Sequence, residues 1–182
     1  MYLDYLLADM VDQRTLTLDL TKLPQGLTGY YHQMWRLIQA EDEGNGHTWD
    51  HLHLPVLQHL AVAGEPVSAA WLADHLATPK REINRVLRRW QRFLQQRTPD
   101  SAESSAARWR IIHQSFGDFL RQTDEVELPA AHRAVADYYL ANTDRWTAHD
   151  GYALRHLAGH LRAADDRGRL FNLVDDSRWR SV

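Results

Sequence analysis

His113 lies in the stretch RWRIIHQSFGDFL, residues 108–120, between two isoleucines and a run whose Phe116, Phe119 and Leu120 mark a core face. An imidazole there can move a proton, ligate a metal or donate an N–H to an anion. Further histidines invite a metal reading: His51, His53 and His59, with His156 and His160 spaced i, i+4 so that two rings share one helix face. The general base of an HExxH arrangement is missing, however, and packing or surface positions account for these histidines. The chain has no cysteine, which excludes a thiolate nucleophile, cysteine-ligated zinc and disulfides. It also lacks a GxxxxGK phosphate loop and a GxSxG elbow, so phosphoryl and acyl transfer have no apparatus here. The expectation is a non-catalytic chain without a metal or cofactor of its own.

The strongest charge signal runs from Pro79 to Arg97, where Lys80, Arg81, Arg85, Arg88, Arg89, Arg92 and Arg97 outnumber a single Glu82. Read as one helix at 100° per residue, Ile83, Val86, Leu87, Trp90, Phe93 and Leu94 fall on one side and most of the arginines opposite. A basic exposed helix of this kind is the footprint of major-groove DNA binding. A solvated face, or a surface docked on acidic neighbours, has the same pattern. The net charge of −3 weakens the nucleic-acid reading.

The elements that must position these residues are mostly helices. Leu3, Leu6, Leu7 and Met10 make one apolar face of a first helix. After a break at Pro24–Gly26, Leu27, Tyr30, Tyr31, Met34, Leu37 and Ile38 share the face of a second, which Gly44 and Gly46 end. A helix from about Asp50 to Ala63 carries Pro55 in its first turn and stops at Gly64 and Pro66. A short helix from about Ser68, a turn at Thr78 and Pro79 and the arginine-rich helix then form a helix-turn-helix. The small polar stretch QQRTPDSAESSAA reads as a loop, and RWRIIH as one short β-strand rich in aromatic and β-branched residues. Helix, turn, helix, loop, strand is the order of a winged helix. The remainder, ELPAAHRAVADYYLA, DGYALRHLAGHLRAA and RGRLFNLVDD with short connectors, reads as a small helical array.

At 182 residues the chain is long enough to bury roughly 70% of its unfolded surface. Its apolar fraction of 44% is ordinary, and no apolar run approaches the roughly 20 residues of a membrane helix. The N-terminal stretch carries Asp4 and Asp9 within its apolar pattern and lacks the basic start of a signal peptide. A cytoplasmic protein without membrane partners is expected. Both ends read as cuts in something longer.

The ordered segments LPQGLTGYYHQMW, LQHLAVAGEPVSAAWLADHL, RWRIIHQSFGDFL, HRAVADYYL, GYALRHLAGHL and LFNLVDDSRW resemble the region that follows the nucleotide-binding core in STAND NTPases. These are the NACHT and NB-ARC signalling ATPases, and the likeness is to bacterial members that continue into WD repeats. The resemblance implies a mainly α fold: residues 1–26 end a helical segment after an NTPase core, 27–121 form a winged-helix domain, and 122–182 a helical array leading to a sensor. It implies ADP or ATP with Mg in the intact parent, an upstream nucleotide-binding domain and a downstream repeat domain as partners, and homo-oligomerisation on activation. IIHQSFGDFL is similar to the family's winged-helix segment, and by that likeness His113 is the histidine that reaches the phosphate of bound ADP and latches the resting state. Asp118 stands where glutamate is commoner and takes no separate role.

Three readings follow: a non-catalytic regulatory module of a STAND signalling ATPase, favoured; a DNA-binding regulator using Lys80, Arg81, Arg85, Arg88, Arg89 and Arg92; and a structural helical adaptor.

Overall fold

The computed structural model describes residues 26–43, 48–97 and 106–181. The expected first helix, the glycine stop at 44 and 46 and most of the polar loop after Arg97 lie outside them. Helix α1 (Gly26–Glu43) buries Tyr30, Tyr31, Met34, Trp35 and Ile38. Leu37 departs from expectation and is exposed, because at 100° per residue it lies roughly 90° from the centre of that stripe. The helix expected from Asp50 divides in two: a wide π-helical turn at Trp49–His53, then α2 (Leu54–Val62). Pro55 has no N–H to return to the carbonyl four residues back, so the first turn loses nothing by being wide.

Val67–Ser68 forms β1, and the Ser68 hydroxyl then caps α3 (Ala69–His75) by accepting from the Trp71 N–H at 3.1 Å. The turn into α4 (Lys80–Arg89) passes through Ala77 at a left-handed φ of 48° and closes with Thr78 N–H donating to the Ala73 carbonyl. The long arginine-rich helix expected to Arg97 is corrected here. It ends at Arg89, turns at Trp90, makes a 3-10 turn at Gln91–Phe93 and becomes strand β2 (Leu94–Arg97). β3 (Arg108–Ile111) pairs antiparallel with both neighbours, in the order β1-β3-β2. Val67 stands opposite Trp109, and Leu94 opposite Ile111. One strand was expected from the sequence, and three are present among the described residues. β1 is two residues long, and β2 was hidden because Phe93 of the preceding turn and its own Leu94 continue the helical period of α4.

Helix α5 (Gln114–Gln122) follows β3 directly and returns Phe116, Phe119 and Leu120 to the core. There Tyr31 meets Phe93, Phe116 and Phe119 at ring separations of 5.2–5.6 Å. A second aromatic group joins Trp35, Trp49 and Trp90. The C-terminal part is α6 (Leu128–Leu140), a 3-10 turn at Thr143–Thr147 capped by Asn142, α7 (Ala148–Ala163), α8 (Arg167–Asp175) capped by Asp166, and α9 (Ser177–Ser181). One apolar core runs without a gap from Tyr30 to Leu173, through Trp71, Tyr139 and Leu157. The protein is mainly helical with a small three-stranded antiparallel sheet, and no helix among the described residues is long and apolar enough to cross a membrane.

Candidate functional site

His113 stands between the end of β3 and the start of α5, with extended backbone, half-buried, as the N-cap residue of α5. Its carbonyl accepts from the Phe116 and Gly117 N–H groups, while its imidazole makes no capping bond. It lines a cleft of about 290 Å³ between α5, β3 and the loop after α2. Small residues, Ala61, Ala63, Gly64 and Gly117, leave the space open, and Arg110 and Arg121 line it with Gln114. Arg121 Nη1 donates to Asp118 at 2.7 Å and Arg110 Nε to the Gln95 amide oxygen at 2.7 Å, both on the exposed surface. Asp118 is thus the local partner of Arg121.

Glu65 is the acidic residue of the cleft lining, and α7 holds it. Arg155 donates to it through Nε at 3.0 Å and Nη2 at 2.6 Å, and His156 Nε2 lies 3.1 Å from its second oxygen. Burial raises the Glu65 carboxyl, but these partners outweigh burial and its pKa is lowered. Beside it, the Gly64 N–H donates to the Tyr152 hydroxyl at 3.1 Å. The loop that walls the His113 cleft is therefore fastened to α7 at two successive residues.

Behind the loop runs a buried polar seam that sequence reasoning missed. Tyr152 Oη lies 2.9 Å from His160 Nε2, and His160 Nδ1 lies 2.8 Å from His132 Nδ1. The arrangement that uses every group runs in one direction: Gly64 N–H to Tyr152, Tyr152 O–H to His160, His160 Nδ1–H to His132. Trp71 Nε1 donates to Tyr139 at 2.9 Å. His59 and His75 each bond the carbonyl four residues back, Pro55 and Trp71, through Nδ1, and their buried Nε2 atoms have no hydrogen-bond partner. Burial lowers the pKa of His59 to about 4 and of His75 and His160 to about 3. These rings are neutral. The available signal was the i, i+4, i+8 series Tyr152, His156, His160, of which the sequence analysis weighed only the two histidines, as metal ligands against packing or surface groups.

The structure does not assemble those ligands. His51 is exposed, His53 Nδ1 accepts from Trp90 Nε1 at 3.1 Å, and His156 and His160 turn to different partners. No group of three metal-capable side chains occurs among the described residues.

The basic surface divides as well. Lys80, Arg81, Arg85 and Arg88 are exposed on α4, with Glu82 pairing Arg85 at 2.8 Å and Arg81 at 3.2 Å. Lys80, Asn84 and Arg88 line a groove of about 560 Å³ against the β2–β3 side. Arg89 pairs with Glu41 of α1, and Arg92, beyond the end of α4, turns inward to donate to the Tyr30 hydroxyl at 3.2 Å. Two of the six cations singled out as DNA contacts thus hold α1. Comparison of the chain with known protein families, with curated proteins and with solved structures finds no match.

Proposed function

We propose that this chain is the non-catalytic regulatory module of a STAND signalling ATPase, a winged helix over residues 27–121 followed by a helical array over 122–182. The supporting order is α2, β1, α3, turn, α4 and a β2–β3 pairing, with His113 leaving the sheet at a surface cleft. The observation that carries the coupling role is the loop Gly64–Pro66. It walls the His113 cleft on one side and is held by Tyr152, Arg155 and His156 of α7 on the other. A nucleotide phosphate engaged by His113 is then one loop away from the helical array. Packing of the module on the nucleotide-binding core, with ADP and Mg bound there, favours the resting state, and release permits assembly.

The test is His113→Leu in the intact parent, read by ADP retention and oligomer size. Faster ADP loss and larger assemblies are expected, and unchanged nucleotide dependence refutes the reading. The 182-residue chain alone neither hydrolyses ATP nor binds ADP at micromolar levels on this proposal. A second reading, binding of duplex DNA, draws on the exposed row Lys80, Arg81, Arg85 and Arg88. It requires duplex affinity that falls steeply with salt, with the slope reduced by about one for each phosphate-contacting arginine removed.

A further inference from the structure

From the cleft beside His113 we infer that Arg110 and Arg121 form, with that histidine, a binding site for a diphosphate group. The inference rests on the reading of His113 as a phosphate contact and extends it to two side chains outside the likeness that suggested it.

Arg110, Arg121 and His113 line one cleft of about 290 Å³. Arg110 comes from β3 and Arg121 from the last turn of α5, so the two cations approach from different elements with His113 in the chain between them. The space they share is kept by residues of little or no side chain. Arg121 Nη1 lies 3.6 Å from where a Cβ of Gly117 would stand, which places this guanidinium over the glycine that lines the cleft. The acid that could fill the site with internal charge is committed elsewhere, since both Glu65 oxygens are bound by α7. Arg110 is matched through Nε only by a neutral amide. Arg121 shares an exposed pair with Asp118, which is weak and leaves further donors of a five-donor group for a second anion. Planar guanidinium forks match phosphate oxygens in geometry as well as charge. Two of them across a cleft of this size suit two linked phosphates.

The experiment uses the 182-residue chain at low ionic strength, titrated with inorganic pyrophosphate, ADP or adenosine and followed by phosphorus NMR and calorimetry. Saturable one-to-one pyrophosphate binding with Kd of about 1 mM is expected from a few charge-assisted contacts on an open surface. ADP should bind comparably and adenosine not at all. Arg110→Gln and Arg121→Gln should each weaken pyrophosphate binding about tenfold. Both arginines are surface residues, and an unchanged melting temperature verifies that the variants fold. Arg→Lys at either position should recover part of the affinity.

Absence of saturation by wild-type protein in the millimolar range overturns the inference, as does adenosine binding as well as ADP. Loss of binding in Arg85→Gln or Arg88→Gln, with Arg110→Gln and Arg121→Gln unaffected, places the anion on α4 and overturns it too. If His113→Leu weakens binding while both arginine variants bind normally, the inference fails and the histidine reading survives. The opposite pattern supports the arginine pair and removes His113 from the site.

Discussion

His113 and His160 are the same side chain in opposite surroundings. His113 lines an open cleft beside two arginines, whereas His160 is buried between Tyr152 and His132 in the seam joining α7 to α6 and the loop after α2. For His160 the protonated state must be accommodated without water, so burial decides its chemistry and fixes it as a neutral relay of hydrogen bonds. His113 stands at a cleft open to solvent, where on the proposed function a phosphate reaches it. On the proposed function, the contrast separates a histidine that holds the fold from one placed at a ligand cleft. Gly64 and Glu65 belong to both regions, and disturbing one region while watching the other tests the distinction.

Acid should have the largest effect, and it should act through the seam. The folded pKa of His59 is about 4, and those of His75 and His160 are about 3, all below the ordinary histidine value of 6.5. Below about pH 6.5 the unfolded chain binds protons that the folded chain refuses, so this contribution to stability is whole above 6.5 and is lost as pH falls toward the folded values. At pH 5 each ring removes about 2 kcal/mol and the three together about 6 kcal/mol, comparable with the whole stability of a typical domain. Several groups surround these rings: His132 and His156 near His160, Asp74 and His149 near His75, and Glu65 at the loop. Asp74 lies against His149 and Glu65 against His156, and neither carboxylate is hydrogen-bonded to His59 or His75. Tryptophan fluorescence and near-ultraviolet circular dichroism should therefore show cooperative loss of structure near about pH 5. A fold unchanged at pH 4 would mean the seam admits charge.

Tyr152→Phe should come next. It leaves the buried His160 Nε2 without its donor, at about 1–3 kcal/mol, and the Gly64 N–H without its acceptor, at less because Gly64 is exposed and water can replace the hydroxyl. The melting temperature should fall by several degrees, with Tyr139→Phe, which orphans Trp71 Nε1, at roughly half that effect. Gly64→Ala is smaller but touches both regions. The added Cβ would sit 2.4 Å from His156 Nδ1, so the ring must give way and loosen its contact with Glu65. About 1–3 kcal/mol of destabilisation is expected from overpacking, together with weaker pyrophosphate binding because Glu65 is released into the cleft. Destabilisation with no change in binding would uncouple the two regions.

The two regions were unequally legible in the sequence. The cleft histidine was found because IIHQSFGDFL interrupts an apolar run with a titratable ring, a local irregularity visible without the fold. The seam was not, because its partners lie far apart in sequence, Gly64 with Tyr152 and Trp71 with Tyr139, and each alone fits an ordinary helix stop or amphipathic helix. The apolar set Ile83, Val86, Leu87, Trp90, Phe93 and Leu94 was read correctly as buried although the helix carrying it ends at Arg89. Periodicity reports which residues face the core, and a 3-10 turn leading into a strand preserved that facing while the backbone changed. The same extrapolation misplaced Arg92, which lies past the helix end and points to α1.

The smallest effect on stability, and the sharpest contrast with Tyr152→Phe, belongs to His113→Leu. The residue is half-buried, its imidazole does not cap α5, and its contribution to the helix start comes from its backbone carbonyl, which leucine retains. On the proposed function the melting temperature of the 182-residue chain should change by less than it does in Tyr152→Phe. On the proposed STAND function, the same change in the intact parent should remove one charge-assisted hydrogen bond from the resting state, about 1.5–3 kcal/mol, and shift a two-state population by roughly 10-fold to 100-fold toward assembly. A core histidine gives the reverse pair of results. If the isolated chain melts much earlier while the parent retains ADP as tightly as before, His113 belongs with His160 as a structural group, and the difference between the two regions is one of exposure alone.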